Sequence, residues 1–415
     1  MSAVRGKNNW VPRHIGLFAS VAFALLIIFN KSEFKIRFLD WGAGALVLVL
    51  VTFFFLTRGR VAKKELLVIA VPLLWMLYAS LGTPFAFNAG HHISALAQVF
   101  ILTLIASFIV ISVFTDERLA SKTTLATAVI WTAISFGLFI AWYMGYLAYE
   151  KKDFSGLFGN RNAFAIQSVI IIAMMSAFVK GKKYIKIGIT AVTFIMIVFS
   201  LSIKGFFFFF FVLFFPYFLH GSFQKKNAII LLGCFVITSA WAIMPNIQER
   251  ITRVTMVFTA PDELRQGESA FLRAWLMSEG FKTITEKPVF GTGVDNARYT
   301  LIPPLHKARG ADEGLYSHNN YIEMGINAGI PGFILFYFPL AYIFFKTKKG
   351  HPHWTTLKTF LLLYLLMGMA MVQYNNFISI ILYCLIIFLY LYYKGPSRSV
   401  KNSLRYQHPQ TIRPY

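Results

Sequence analysis

The sequence predicts an all-α polytopic membrane protein with about twelve transmembrane helices and one large, partly helical loop. Of its 415 residues, 57% are hydrophobic and 17% are aromatic, and the mean hydropathy is +0.61. A soluble domain averages about 45–50% apolar residues. Apolar runs of about twenty residues, the length that crosses a bilayer as a helix, recur from one end of the chain to the other. They are too numerous to be core helices of a soluble protein.

The apolar runs predict nine spans within residues 1–245 and three within residues 321–393. The spans cover residues 15–29, 38–56, 65–81, 95–114, 123–146, 162–179, 187–203, 205–219, 227–245, 321–345, 355–372 and 377–393. A loop of residues 246–320 separates the two groups, and a basic tail of residues 394–415 follows the last span. The six consecutive phenylalanines at 206–211 are expected to face lipid.

The distribution of charge predicts the orientation of the spans. A net charge of +23 would suggest a nucleic-acid partner for a soluble protein, but the cytoplasmic loops of membrane proteins also collect Lys and Arg. Most of the 40 basic residues fall on cytoplasmic segments when both termini are placed in the cytoplasm. We therefore expect membrane lipids, and no nucleic acid, to be partners.

The loop of residues 246–320 is the longest polar segment, and its apolar residues at helical spacing predict order. A helix is expected from Ser269, a possible N-cap, to Glu286, with Pro288 beyond its end. One face of that helix carries Leu272, Leu276, Met277, Gly280, Phe281 and Ile284. Arg273 points into the middle of this face, where it needs an anionic partner. A protein carboxylate is slightly favoured on spacing, and a substrate phosphate is the alternative.

His318 ends the loop and leads straight into the tenth span. The simpler interpretation is a histidine that caps the span, and the sharper one is a general base, because imidazole exchanges a proton near neutral pH. Asn319 beside it adds hydrogen-bonding capacity. Glu323, inside the span, fits a functional carboxylate and a structural ion pair equally well.

Two basic residues stand on short outer loops, where positive charge is normally depleted. Arg161 opens the sixth span, and Lys204 lies between the seventh and eighth spans. Anion binding would explain both of them. No metal-ligand, P-loop or dinucleotide motif occurs in the sequence, so neither a metal nor a cofactor is expected.

Several motifs together resemble those of a known family. They are His318-Asn319 followed after nine residues by Gly329-Ile330-Pro331-Gly332, Phe158-Gly159-Asn160-Arg161-Asn162 before the sixth span, and Arg273-Ala274-Trp275 followed by Pro288-Val289-Phe290-Gly291-Thr292-Gly293. With a large loop before the last three spans, the chain resembles the O-antigen ligase and polymerase family of bacterial membrane glycosyltransferases. That family often has Ser-Arg-Gly between the seventh and eighth spans, where this chain has Ser202-Ile203-Lys204-Gly205.

The resemblance implies a GT-C-like fold in the bacterial inner membrane, with the loop in the periplasm and both termini in the cytoplasm. The donor would be a glycan on undecaprenyl diphosphate. The acceptor would be a sugar hydroxyl, either on lipid A-core for a ligase or on another repeat unit for a polymerase of O-antigen or exopolysaccharide. We take the ligase as the first hypothesis.

The resemblance also implies roles for individual residues. His318 would act as the base, and Arg273 would hold and stabilise the diphosphate leaving group. The other predicted diphosphate ligands are Arg161, Lys204, Arg298 and Arg309, and the supporting residues are Asn319, Asn160 and Glu323. These cations would replace a metal ion.

A transporter or flippase is the alternative from another class, because twelve spans are common among such proteins. Transporters bind their substrates near the bilayer midplane, between repeated halves with broken helices. This sequence instead concentrates its polar residues in one outer loop, which favours the transferase.

Overall fold

The computed structural model describes residues 13–29, 62–146, 154–156, 160–220, 269–303 and 314–392, with isolated helical positions at 248, 252 and 256. Over these residues all regular secondary structure is helical, which confirms the predicted all-α class. Five of the helices are long and apolar enough to cross a membrane, and further apolar helices are shorter. The predicted spans at 38–56 and 227–245 lie outside the described residues.

Every other predicted span coincides with a helix. The α-helices are α1 (Arg13–Phe29), α2 (Lys63–Leu81), α3 (Ala89–Phe114), α4 (Glu117–Tyr143), α5 (Arg161–Phe178), α6 (Lys183–Phe199), α7 (Ile203–His220), α8 (Ser269–Glu286), α9 (Ala297–Thr300), α10 (Asn320–Lys346), α11 (Trp354–Gly368) and α12 (Phe377–Tyr392), with a 3₁₀ turn at Thr83–Phe85. The bounds of α8 are those predicted. Helix α3 begins six residues before its predicted span, because Asn88 caps it by accepting a hydrogen bond from the His91 amide.

Helix α12 is the centre of the bundle. It is apolar around its whole circumference, and its residues from 377 to 390 are buried, as expected for a helix enclosed on all sides. It packs against α2, α3, α10 and α11. The phenylalanine run on α7 also contributes to packing, since Phe206, Phe208 and Phe209 are buried, while Phe207 is exposed. The expectation that the whole run faces lipid was therefore wrong.

The contacts between the segments that connect the helices show which of these segments lie at the same end of the bundle. At one end, the Phe87 amide donates to the Thr292 carbonyl, and Lys204 Nζ donates to the Ala370 carbonyl. At the other end, Lys180 pairs with Glu117 at 2.6 Å. The first end contains only segments predicted to be extracytoplasmic, and the second contains only segments predicted to be cytoplasmic. We call the first of them the loop end.

Helix α10 is broken where the sequence predicts a continuous span. Gly329 has φ 66° and ψ −174°, a conformation that is essentially reserved for glycine. Two residues later, Pro331 has no amide hydrogen to donate. The carbonyls of Ile326 and Asn327 therefore lose their helical partners.

The segment after α8 supplies the missing donors. The Thr292 amide donates to the Ile326 carbonyl at 2.7 Å, and the Gly293 amide donates to the Asn327 carbonyl at 3.1 Å. In return the Ile330 amide donates to the Pro288 carbonyl at 2.8 Å. Residues 288–293, which we call the capping segment, thus satisfy the backbone groups exposed by the break.

Helix α8 packs on the first half of α10 through two glycines. A Cβ on Gly280 would lie 2.4 Å from Ile322 Cγ2, and one on Gly325 would lie 2.6 Å from Ile284 Cδ1. Leu276 is buried in this contact, but Phe281, which is on the same predicted face, is 58% exposed, so only part of that face is buried. This packing holds the helix that carries Arg273 against the helix that follows His318.

Candidate functional site

The backbone around His318 is fixed on both sides. Asn319 caps α10, because its side chain accepts hydrogen bonds from the amides of Tyr321 at 2.9 Å and Ile322 at 3.4 Å. On the other side, the buried Glu323 carboxylate accepts a hydrogen bond from the Ser317 amide at 2.8 Å. His318 lies between these anchors with φ 56°, an uncommon conformation for a residue other than glycine.

Arg273 and Lys204 lie close enough to His318 to act on it electrostatically. Burial, together with the positive charges of Arg273 and Lys204, lowers the pKa of His318 to about 4. The imidazole is therefore neutral at physiological pH and has a nitrogen available to accept a proton. The predicted base and two of the predicted cations are thus neighbours.

The guanidinium of Arg273 is half-buried, and burial lowers its pKa. Across the described residues, no carboxylate forms an ion pair or hydrogen bond with it. The described groups that interact with it are Lys204, Tyr316 and His318. Within the described part of the chain, this favours an anionic ligand over the protein carboxylate preferred on spacing alone.

Lys204 is held at the start of α7 by neighbouring segments. Its Nζ donates to the Ala370 carbonyl at 2.8 Å, and the Ser202 hydroxyl donates to Asn162 Oδ1 at 2.8 Å. Asn160 caps α5 by accepting from the amides of Asn162 and Ala163. Arg161, the first residue of α5, therefore begins a helix that is tied to the segment carrying Lys204.

Tyr316 is a member of the site that the sequence analysis missed. Its ring centroid lies 4.1 Å from that of His318, and 46% of its surface is exposed. Burial raises the pKa of the Tyr316 hydroxyl, the Glu323 charge raises it further, and Arg273 opposes that rise. Tyr316 therefore contacts His318 and lies near Arg273, with its hydroxyl protonated.

The loop between α11 and α12 completes the surroundings. Asn320 is buried, and its side-chain oxygen accepts from the amides of Gln373 at 2.7 Å and Tyr374 at 3.3 Å. Its amide nitrogen donates to the Tyr337 hydroxyl at 2.7 Å. This interior link fixes the loop that binds Lys204 relative to the start of α10.

Arg298, another predicted ligand, has partners of its own. Arg298 donates to Asp295 Oδ2 at 2.7 Å, and His91 Nε2 lies 2.9 Å from the same oxygen. Arg298 therefore belongs to a second cluster, which sequence reasoning missed because His91 and Asp295 are far apart in the chain. Arg309 lies outside the described residues. The diphosphate-binding roles of Arg161, Lys204, Arg298 and Arg309 stay predictions.

The supporting residues have definite structural partners. Glu323 accepts a backbone hydrogen bond in the segment that carries His318, and among the described residues it forms no ion pair. The sequence left two interpretations of Glu323 open, a functional carboxylate and a structural ion pair. The ion pair is not found among the described residues. Asn319 and Asn160 are both helix caps.

The fold and this site define a class of protein: an all-α membrane protein with a neutral histidine and two cations together at one end of its bundle. Residues 188–337 match the model of the O-antigen ligase family. The match confirms the resemblance inferred from the motifs: this region of the chain is similar to a family of the ligase and polymerase type of membrane glycosyltransferase. No curated protein matches the chain.

The matched region includes Lys204, Arg273, Arg298, Arg309 and His318. It also covers Asn319 and Glu323, while Asn160 and Arg161 precede it. The family acts in lipopolysaccharide biosynthesis with lipid-linked glycan donors in a membrane.

Proposed function

We propose that the protein is an O-antigen ligase that transfers a glycan from undecaprenyl diphosphate to a sugar hydroxyl of lipid A-core, at the periplasmic face of the inner membrane. The main observation that supports this proposal is that Arg273 and Lys204 lie close enough to His318 to affect its charge. A base and two cations are what transfer from a diphosphate leaving group requires without a metal ion.

In the proposed reaction the two cations bind the diphosphate. Arg273 offers a planar fork that matches phosphate oxygens, while Lys204 contributes a point charge. The start of α10, where Asn319 already caps the amides of Tyr321 and Ile322, places the positive end of its helix dipole beside His318. Together these groups stabilise the negative charge that develops on the leaving diphosphate.

His318 then acts on the acceptor. The neutral imidazole accepts the proton of the acceptor hydroxyl while that oxygen bonds to the anomeric carbon of the glycan. The bond from that carbon to the diphosphate oxygen breaks, and undecaprenyl diphosphate leaves with the electron pair. A bound diphosphate also offsets the charges of Arg273 and Lys204, so the pKa of His318 rises and the imidazole becomes a better base.

The test is transfer by the purified protein in lipid nanodiscs, with lipid-linked glycan extracted from the host and rough lipopolysaccharide as acceptor. We expect the wild-type protein to form glycosylated lipopolysaccharide, and His318→Gln to lower the rate by at least about a hundredfold. A chelator should leave the wild-type rate unchanged. Longer lipid-linked glycans made without lipopolysaccharide would identify a polymerase instead.

Normal insertion of His318→Gln is judged by its thermal unfolding in detergent and by its elution volume. Wild-type transfer rates in a folded His318→Gln protein would remove the base from the mechanism. Loss of activity in the chelator, with recovery on adding a divalent cation, would contradict the metal-free reaction.

A further inference from the structure

A second polar cluster lies at the loop end of the bundle, beside the proposed catalytic group. The Asp295 carboxylate accepts a hydrogen bond from Arg298 at 2.7 Å and lies 2.9 Å from His91 Nε2. The exposed fractions are 19% for the Asp295 side chain and 39% for that of Arg298. Asp295 has φ 59°, and such uncommon backbone conformations concentrate at functional sites.

Aromatic rings border this cluster. Phe87 is 60% exposed and stacks on Tyr299, with ring centroids 6.1 Å apart and planes inclined by 13°. The His91 ring meets Tyr299 edge-on at 5.3 Å. A flat, exposed ring thus lies next to hydrogen-bonding groups that include both donors and acceptors.

The second cluster differs in charge from the His318 group, so the two are expected to bind different kinds of ligand. Arg273 and Lys204 bring two positive charges to His318 and favour an anion. In the second cluster the Asp295 carboxylate offsets the Arg298 guanidinium, and a paired arginine is a poor phosphate ligand. Neutral hydroxyls suit a carboxylate and a guanidinium together, and the apolar face of a sugar ring suits an exposed aromatic ring.

The two clusters are joined through Tyr374. Its hydroxyl lies 3.5 Å from Asp295 Oδ1, and its amide donates to Asn320, two residues after His318. A sugar bound at the second cluster would therefore lie at the same end of the bundle as the group that we assign to the chemistry.

From these contacts we infer that Phe87, Tyr299, Asp295 and Arg298 form a subsite for one neutral sugar ring of a glycan substrate. The inference rests on the proposed function and extends it. The ring could belong to the donor or to the acceptor, since both are glycans.

The experiment compares Phe87→Leu with wild type in the nanodisc transfer assay, with lipid-linked glycan and rough lipopolysaccharide varied in turn. Leucine keeps an apolar side chain but has no flat ring. We expect the KM for one of the two glycans to rise roughly tenfold, with kcat little changed. Phe87→Trp should retain the wild-type KM, because it restores an aromatic face.

Phe338→Leu is the matched control, because Phe338 on α10 is 61% exposed but lies outside both clusters. An increase confined to the donor KM or to the acceptor KM supports the subsite and identifies the glycan bound. An unaltered KM in Phe87→Leu, or an equal increase in Phe338→Leu, would overturn the subsite alone. Absence of transfer by the wild-type protein would overturn the proposed function as well.

Discussion

At the scale of single residues, the protonation state of His318 determines whether it can act as a base. Burial and the charges of Arg273 and Lys204 lower its pKa to about 4, so the imidazole is neutral above that pH and cationic below it. The profile of kcat/KM reports the free enzyme. We expect it to lose activity as pH falls through about 4, and the profile of kcat to lose activity at a higher pH, because bound diphosphate raises the pKa of His318.

Two substitutions at Arg273 separate charge from geometry. Arg273→Gln removes a positive charge, so the acid limb of its residual kcat/KM should move upward, towards the ordinary histidine pKa of about 6.5. Arg273→Lys keeps the charge but loses the planar fork, so its rate should fall while the limb stays in place. The measurement is the rate of transfer as a function of pH. If the fall in kcat/KM at low pH occurred at the same pH in Arg273→Gln and wild type, that fall would not be due to protonation of His318.

Sequence reasoning at this scale found residues that belong to recognisable motifs and missed those joined only by folding. His318, Arg273 and Lys204 stood out because a histidine, an arginine and a lysine are unusual in their positions. Tyr316 gave no such signal, since a tyrosine near a membrane surface is ordinary. The pairing of His91 with Asp295 depends on the docking of the capping segment at the start of α3, which no local pattern encodes.

At the scale of elements, Glu323 positions the segment that carries His318. Its carboxylate accepts from the Ser317 amide at 2.8 Å. Glu323→Gln keeps a side-chain oxygen that can accept this bond and should retain most of the activity. Glu323→Leu leaves a buried amide unsatisfied, at a cost of about 1–3 kcal/mol, and should lower both the rate and the unfolding temperature.

Transfer assays and thermal unfolding in detergent compare the two Glu323 variants. A loss of activity in Glu323→Gln as large as that in Glu323→Leu would mean that the negative charge itself takes part in the reaction. Equal activity of both variants and wild type would instead remove Glu323 from the positioning of His318.

The break in α10 depends on Gly329. A Cβ at this position would lie 2.1 Å from the Val289 carbonyl oxygen, and the positive φ adds about 1–3 kcal/mol of strain for any other residue. Gly329→Ala should therefore displace the capping segment from α10 and lower transfer severely. Limited proteolysis of the segment after α8, together with the transfer rate, measures the effect.

Gly137→Ala is the matched control for this prediction. Gly137 lies within α4, and a Cβ there would meet no atom of the described residues within 4 Å. Alanine should be neutral or stabilise the helix by up to about 1 kcal/mol. Unchanged proteolysis and transfer in Gly329→Ala would show that the capping segment tolerates a straight or shifted α10.

The helices themselves were largely predictable, because crossing a bilayer requires long apolar runs. Helix α8 was predicted to the residue from a serine at its start and a proline beyond its end. The break in α10 was missed because the hydropathy of Gly329-Ile330-Pro331-Gly332 does not interrupt the apolar run. Periodicity put Phe281 on the same face as Leu276 but did not reveal which part of that face is buried, because the packing surface of α8 is set by Gly280 and its fit against Ile322.

At the scale of the whole molecule, the catalytic proposal requires all its residues to lie on one side of the membrane. Segments far apart in the chain meet at the loop end, where Phe87 bonds Thr292, Lys204 bonds Ala370 and Asn320 bonds Gln373. The Lys180–Glu117 pair marks the opposite end. The predicted charge bias and these contacts agree on which segments share a side, although they come from independent properties of the chain.

Labelling of single cysteines in intact cells tests which end faces outward. In a background with Cys234→Ala and Cys384→Ala, Tyr146→Cys places a thiol beyond the loop-end terminus of α4, where the native side chain is 76% exposed. Lys180→Cys places one at the opposite end, where the native side chain is 82% exposed. A membrane-impermeant maleimide should label the first variant in intact cells and the second only after permeabilisation. The reverse result would put His318 and Arg273 in the cytoplasm, where the periplasmic transfer proposed for this protein could not occur.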